Sequence, residues 1–565
     1  MKTFLVVLCV VLTAGCTGQK ENADLVIYGG AIYTVSDLQP MVEAVAVKEG
    51  KVVFVGRKEA ALEFATAKTK IIDLHGNTMT PGFIEGHGHL MGIGHNEIEL
   101  DLMAVRSYDE LVAKVKAAVE KAAPGEWIVG RGWHQDKWDH LPDTMVKGFQ
   151  THHRLSAVSP DNPVFLRHAS GHAALANAKA MEVAGVNQLS REAARVESRE
   201  GGEIIRDALG NPTGIFNERA MGIIAGHIPE NSVATNVRAL QLALEACHRN
   251  GITGFHDAGA SEESIELFKE LRKEGNLDLR LYVMLDGPAL ARQWFARGVE
   301  LDPEHRLTIR AIKLHCDGAL GSRGAWLLEP YSDRPDFSGM ATIAMDTVLA
   351  IARAGLKHGF QVCSHAIGDR ANREVLDRYE IALRDNPAKA NNHRFRIEHA
   401  QHLHPDDIPR FAELGVIPAM QAIHMSSDRP WAIERLGEKR IVEGAYMWQS
   451  LLQSGARVVN GTDAPVEPLN PIASFYASVT RKTLKGEPDG GYEPKEKMTR
   501  EQALKSYTLD AAYGAFQEEV LGSIEKGKYA DFTVFSQDIM TIAEERILET
   551  EVVMTIVGGK VVFEK

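Results

Sequence analysis

The sequence predicts an α/β protein: a (β/α)8 TIM-like barrel, a small composite β-sandwich domain drawn from both termini, and an inserted subdomain. Three observations carry this. Through the middle of the chain, short apolar runs alternate with helix-length amphipathic stretches, the pattern of βα units and a parallel sheet. Both ends instead alternate β-rich runs with glycine turns. Histidines, a lysine and an aspartate recur at the predicted C-terminal ends of the middle runs, which in a parallel barrel open on one face.

The 565 residues exceed one ordinary domain, but a barrel with an appended domain absorbs them. Hydrophobic content of 44% and charged content of 25% are those of a soluble globular protein. A formal net charge of −13 and the lack of a long basic run exclude a general nucleic-acid binder.

The first element is a leader, residues 1–16. Lys2 precedes the apolar run from Phe4 to Leu12, and Thr13-Ala14-Gly15-Cys16 follows. The run is too short to span a bilayer as a mature helix. It resembles a bacterial lipoprotein leader, with Cys16 as the lipidated residue, although Thr13 stands where such leaders usually carry Leu. A plain secretory leader is the alternative. Either implies export to a bacterial periplasm or cell envelope, and the lipid anchor would be the sole contact with a membrane. Outside the leader, Cys247, Cys316 and Cys363 form no spaced framework and predict free thiols.

Residues 23–80 form the N-terminal part of the sandwich, with runs such as Leu25-Val26-Ile27-Tyr28 and Val45-Ala46-Val47. Residues 520–565 form its C-terminal part, with Phe532-Thr533-Val534-Phe535 and two later runs divided by Gly558-Gly559. Between them, 81–510 is the barrel. Its strand candidates are 83–85, 254–256, 279–285, 309–315, 361–365, 395–399, 416–420 and 458–461, eight in all. Helices between them end at Gly275, Gly359 and Gly415. The interval of about 93–249 is too long for a simple crossover and reads as an insertion over the active face. Within it Ser107 and Glu110 predict a capping box, and Pro124-Gly125 stops the helix that follows.

His87 and His89 are the most informative residues. In a strand, side chains at i and i+2 share a face, so both imidazoles can hold one metal ion. The spacing alone is weak, since 22 His give about one such pair by chance and His402-Leu403-His404 is another. Context separates them: the first pair follows a Pro-Gly turn and an apolar run, and Gly86 and Gly88 leave the opposite face open to close packing. The same logic places Lys313, His365, His399 and Asp463 at or just past later strand ends. Each has an ordinary reading taken singly, as a hydrogen-bonded histidine, an ion-paired lysine or a turn aspartate. Four His, one Lys and one Asp in that order point jointly to a metal site and a hydrolase.

The chain resembles the amidohydrolase superfamily, in its amidohydrolase-3 or YtcJ-like branch, which includes N-substituted formamide deformylase. The matching text is Thr80-Pro81-Gly82-Phe83-Ile84-Glu85-Gly86-His87-Gly88-His89, Ile312-Lys313-Leu314-His315-Cys316-Asp317-Gly318, Ser364-His365-Ala366-Ile367-Gly368-Asp369, Ile397-Glu398-His399-Ala400 and Gly461-Thr462-Asp463-Ala464-Pro465. The segment from Gly522 to Asp531 is similar to the family's return into its sandwich.

The resemblance implies that His87 and His89 bind the more buried of two divalent ions and that His365 and His399 bind the second. It implies a carboxylated Lys313 bridging both, since a carbamate offers the anionic oxygens that an ammonium lacks. A single-metal site with unmodified Lys313 is the alternative. Zinc suits these ligands, with manganese and iron also admitted by ligand type. Asp463 would be both a ligand and the catalytic proton shuttle. Arg323, His168, His172 and His315 are candidates for substrate binding, and His315 with Asp317 for support of the metal ligands. Trp133, Trp138 and Trp326 are candidates for an apolar pocket wall.

The function that follows is hydrolysis of a non-peptide C–N amide bond in a small N-acyl or N-formyl compound. A deaminase or cyclic-ureide hydrolase on the same scaffold is the rival, and an inactive metal-bearing binding lipoprotein is the other class. The expected partner is a small-molecule substrate, with no nucleic acid, and homo-oligomerisation is left open.

Overall fold

A computed structural model of the chain describes residues 22–186, 202–229 and 232–565. The expected leader, with Cys16, lies outside the described residues.

Eight parallel strands form the barrel: β1 (Phe83–Gly88), β2 (Ile252–Ala260), β3 (Arg280–Asp286), β4 (Leu307–His315), β5 (Gln361–Ala366), β6 (Arg396–His399), β7 (Ile417–Met420) and β8 (Val459–Asn460). Hydrogen-bonded ladders run in unbroken order from β1 to β8. The seam between β8 and β1 is closed by the segment just past β8. The Asp463 N–H donates to the His87 carbonyl at 2.8 Å, and the His89 N–H donates to the Ala464 carbonyl at 2.8 Å. Gly86 permits this closure, because a Cβ there would stand 2.3 Å from the Asn460 carbonyl oxygen.

The helices around the barrel end as their sequences dictate. Gly359 and Gly415 sit at helix C-termini with φ of 82° and 67°, a conformation that costs any other residue a Cβ clash. Between barrel and helices lies the main core, in which Phe83, Phe255, Leu281, Ile309, Val362 and Ile397 are fully or almost fully buried. Cys247, Cys316 and Cys363 are free and buried.

Both termini meet in one eight-stranded sheet. Hydrogen bonds run in order through Lys560–Glu564, Val552–Val557, Phe532–Phe535, Thr78–Pro81, Leu25–Tyr33, Met41–Lys48 and Lys51–Gly56, with Lys70–Asp73 on Leu25–Tyr33. Leu25, Ile27 and Met79 from the first end pack with Phe532, Val534 and Ile556 from the second. Burial of both sets of apolar side chains ties the chain ends together.

The insertion between β1 and β2 has its own six-stranded sheet, in the order Gly202–Arg206, Pro212–Glu218, Ala173–Ala176, Val164–His168, Ile128–Trp133 and Leu100–Asp101. The helices at either end of the interval, Leu90–Ile98 and Val233–Arg249, pack on each other so closely that a Cβ on Gly94 would lie 1.8 Å from the Ala239 carbonyl oxygen. The inserted sheet itself runs from Leu100 to Glu218, inside the interval of about 93–249. Its helix Tyr108–Val119 is capped by the Ser107 side chain, which accepts from the Glu110 N–H. The reciprocal half of the expected box is displaced, since the Glu110 carboxylate takes the Arg106 N–H at 2.7 Å. Trp133 and Trp138 do not wall the active cavity: they are buried in the core of this sheet with Tyr108, Leu111 and Leu166.

Candidate active site

The C-terminal ends of the barrel strands open into a cavity of about 370 Å³, roofed by the inserted sheet. His89, Lys313, His365, His399 and Asp463 line it, and His87 is buried just beneath. The His87 Nε2 lies 3.3 Å from the Lys313 Nζ and 3.5 Å from Asp463 Oδ1, while His89 Nε2 lies 3.1 Å from that same oxygen. Ring centroids of His87 and His399 are 4.8 Å apart, and those of His365 and His399 are 4.5 Å apart. One potential ligand atom each from His87, His399 and Asp463 falls within 4.8 Å of the others.

Two of these side chains reach the cavity through strained backbone. His399 at the end of β6 has φ of 74°, and Asp463 past β8 has φ of 59°. Left-handed backbone is costly for residues with a Cβ and clusters at functional sites.

Beneath the cavity, a buried ionic network orients the imidazoles. Arg396 donates from Nε and Nη2 to the two Glu398 oxygens, each at 2.8 Å, and a Glu398 oxygen pairs with His87 Nδ1. Burial disfavours the Glu398 carboxylate, but Arg396 and His87 outweigh it and hold its pKa well below the usual range. The Nδ1 proton of His87 is thus fixed on the Glu398 side, leaving Nε2 for a metal. His399 is set in the same way, with Nδ1 2.7 Å from Gln421 Oε1.

The electrostatics favour neutral ligands. Burial, helped by Lys313, lowers His87 to about 4, and burial pushes His365 and His399 well below the usual imidazole range. Burial also lowers Lys313, although Glu398 and Asp463 oppose it. For Asp463 burial would raise the pKa, but His89, His87 and His399 hold it well below the ordinary value.

Among the buried polar atoms around the imidazole cluster, His365 Nε2, His424 Nε2 and Asp463 Oδ1 have no well-aligned hydrogen bond, although His89 Nε2 stands 3.1 Å from Asp463 Oδ1. Unpaired buried polar atoms are costly, and a shared divalent cation would satisfy imidazole nitrogens and a carboxylate oxygen together. The donor set fits a metal.

The other candidates separate clearly. His168, His172 and His315 line the cavity. His172 Nδ1 is 2.9 Å from Glu218 Oε2, and His315 Nε2 lies 3.6 Å from Asp286 Oδ1. Asp317 accepts from the backbone N–H groups of Trp326, Ile367 and Gly368 at 2.8–3.0 Å, so it shapes the loop after β5 and also lies 3.3 Å from His365 Nε2. Arg323 does not line this cavity: its guanidinium is forked on Asp333 at 3.1 and 2.8 Å, a salt bridge that leaves little for a substrate. Trp326 is likewise outside the lining, where Trp431 stands instead.

The strand-end pattern missed Glu398, Gln421, His424 and Trp431. Only Glu398 carried a signal, since it shares a strand face with Arg396.

Comparison with known proteins identifies the family. A model of the amidohydrolase family matches residues 70–563. The chain is 31% identical to the YtcJ protein of Bacillus subtilis (strain 168), over 95% of this chain and 99% of that protein. It is 27% identical to an N-substituted formamide deformylase of Arthrobacter pascens, over 96% and 99%. Its fold matches the crystal structure of an uncharacterised metal-dependent hydrolase from Pyrococcus horikoshii OT3 with a TM-score of 0.73 and 28% identity, over 92% of this chain and 99% of that one. The matched region spans the barrel, the inserted sheet and the C-terminal strands alike, and the chain belongs to the amidohydrolase family.

Proposed function

We propose that this hydrolase cleaves a non-peptide C–N amide bond in a small N-acyl or N-formyl compound. The observation that carries the reading is Asp463 at the junction of the imidazole cluster and the cavity, 3.1 Å from His89 and held ionised. His87, His89, His365, His399, Lys313 and Asp463 would hold one or two divalent ions, zinc by donor type. Lowering of the Lys313 pKa favours the neutral amine that carboxylation needs. When bound, the metal supplies Lewis acidity toward water and an amide carbonyl.

The residues do the rest. Asp463 Oδ2, 3.7 Å from His424 Nε2, accepts the proton of the attacking water and returns it to the leaving nitrogen. Collapse of the tetrahedral intermediate gives a carboxylic acid and an amine. The cavity volume of about 370 Å³ suits a small molecule. The kinship with a formamide deformylase supports N-formyl substrates among those to be tried first.

The test is a panel of N-acyl and N-formyl amines incubated with metal-loaded protein. Release of carboxylate with the amine supports the reading. Release of ammonia, with hydrolysis confined to cyclic ureides or aminated heterocycles, would replace it with the deaminase or ureide-hydrolase alternative.

A further inference from the structure

The inserted sheet contributes more than a roof. Two of its strands, Ile128–Trp133 and Val164–His168, run parallel with Arg131 opposite Arg167 and a register shift between Arg167 and His168, and both Arg131 and His168 line the cavity wall opposite the barrel. Arg131 is half-buried. Its Nη2 donates to the Ala169 carbonyl at 2.9 Å, Nε has no partner, and among the described residues no carboxylate forms an ion pair with it. Burial lowers the guanidinium to about 10, Asp463 and Glu99 support its charge only at longer range, and a buried cation without a direct ion pair is costly.

His168 adds a second free donor. Its Nδ1 accepts the Ser170 N–H at 3.1 Å, so the neutral ring carries its proton on Nε2. That buried Nε2 has no partner. Burial lowers His168 to about 3, so the ring stays neutral and the tautomer holds.

The other charges on the wall are already matched. Lys137 lies 3.2 Å from Glu467, and His172 lies 2.9 Å from Glu218. Of the other lining carboxylates, Asp136 lies 3.9 Å from Arg435, and Asp428 sits beside Ser427 and Gln401, where burial raises it to about 6. On the wall opposite the barrel, Arg131 is the cation without a direct ion pair among the described residues, with Asp463 and Glu99 acting on it at longer range.

We propose that Arg131 and the Nε2–H of His168 form a carboxylate subsite, so that preferred substrates are N-acyl or N-formyl compounds bearing a carboxylate. The subsite itself rests on the wall geometry, and its link to turnover rests on the amide-hydrolase reading above. A planar, bidentate donor fork matches a carboxylate in shape as well as charge.

The experiment is calorimetric titration of the metal-loaded full chain with N-acetylglycine and, separately, with N-acetylglycinamide, hydrolysis being followed in the same samples. The wild type should bind the carboxylate about tenfold or more tightly than the amide, the worth of a charge-assisted hydrogen bond. Arg131→Met should bring that ratio close to one, and Arg131→Lys, which keeps the charge without the fork, should fall between. The Lys variant keeps the test valid if the Met variant does not fold. No preference in the wild type, a preference for the amide, or a ratio retained in both variants overturns the subsite. A ratio that collapses as expected while no N-acyl compound is hydrolysed leaves the subsite standing and removes the amide-hydrolase reading.

Discussion

Glu398 holds His87 from below: a carboxylate oxygen pairs with the imidazole Nδ1, and both partners are buried. Arg396 grips the same carboxylate with two hydrogen bonds at 2.8 Å. The arrangement fixes which nitrogen of His87 faces the cavity before any ion arrives.

Glu398→Gln keeps the shape but removes the charge that anchors the His87 proton and balances Arg396. Metal affinity, measured by competition with a chromogenic chelator, should fall by about 10- to 100-fold, the usual effect of removing such a support. Unchanged affinity would mean that Glu398 serves the fold alone.

Asp463→Asn preserves an oxygen for coordination but cannot accept a proton. Turnover on the best substrate should fall by about 10²-fold or more while metal content, measured on the same preparation, is largely kept. Near wild-type turnover would make Asp463 structural; joint loss of metal and activity would make it a ligand first.

The convergence of the cluster on one cavity was legible because its members sit at strand ends, where β/α architecture fixes direction. His87, His89, Lys313, His365 and His399 all lie within or just past strands that periodicity could find. Glu398 was harder to read. Strict alternation sends residues 398 and 399 to opposite faces, yet the left-handed backbone at His399 lets both serve the site. His424 and Trp431 come from the helix Ala422–Gly444 after β7, whose sequence is amphipathic without any motif. For Arg323 a substrate clamp and a loop salt bridge read alike in the sequence, because Asp333 is a neighbour that only the folded chain brings within 2.8 Å. The tryptophans were ambiguous for a related reason: large apolar side chains suit a pocket and a core equally, and Trp133 went to the core.

Acid should weaken the fold through His168. Its pKa is about 3 in the folded chain against an ordinary 6.5, so between these values the unfolded chain binds the extra proton. Stability is therefore present above about pH 6.5 and is lost as pH falls toward 3, by about 1.4 kcal/mol per pH unit. Urea unfolding followed by tryptophan fluorescence between pH 6 and 4 should show a shallower decline for His168→Gln than for wild type. Parallel declines would contradict this.

We propose export with lipid attachment at Cys16. Cys16→Ser should release the protein from the membrane fraction or leave an uncleaved precursor. Wild-type protein recovered soluble from the cytosol with Met1 retained would remove the proposal.

We infer that the imidazole cluster and Asp463 hold the metal that drives C–N bond hydrolysis. The most direct measurement is titration of metal-stripped protein with zinc while amine release from the N-acyl and N-formyl panel is followed. No release is expected without metal, and activity should rise to a plateau at two equivalents per chain, or at one if Lys313 is unmodified. Amine release at full rate from stripped protein, or saturation with zinc and no hydrolysis across the panel, would contradict it.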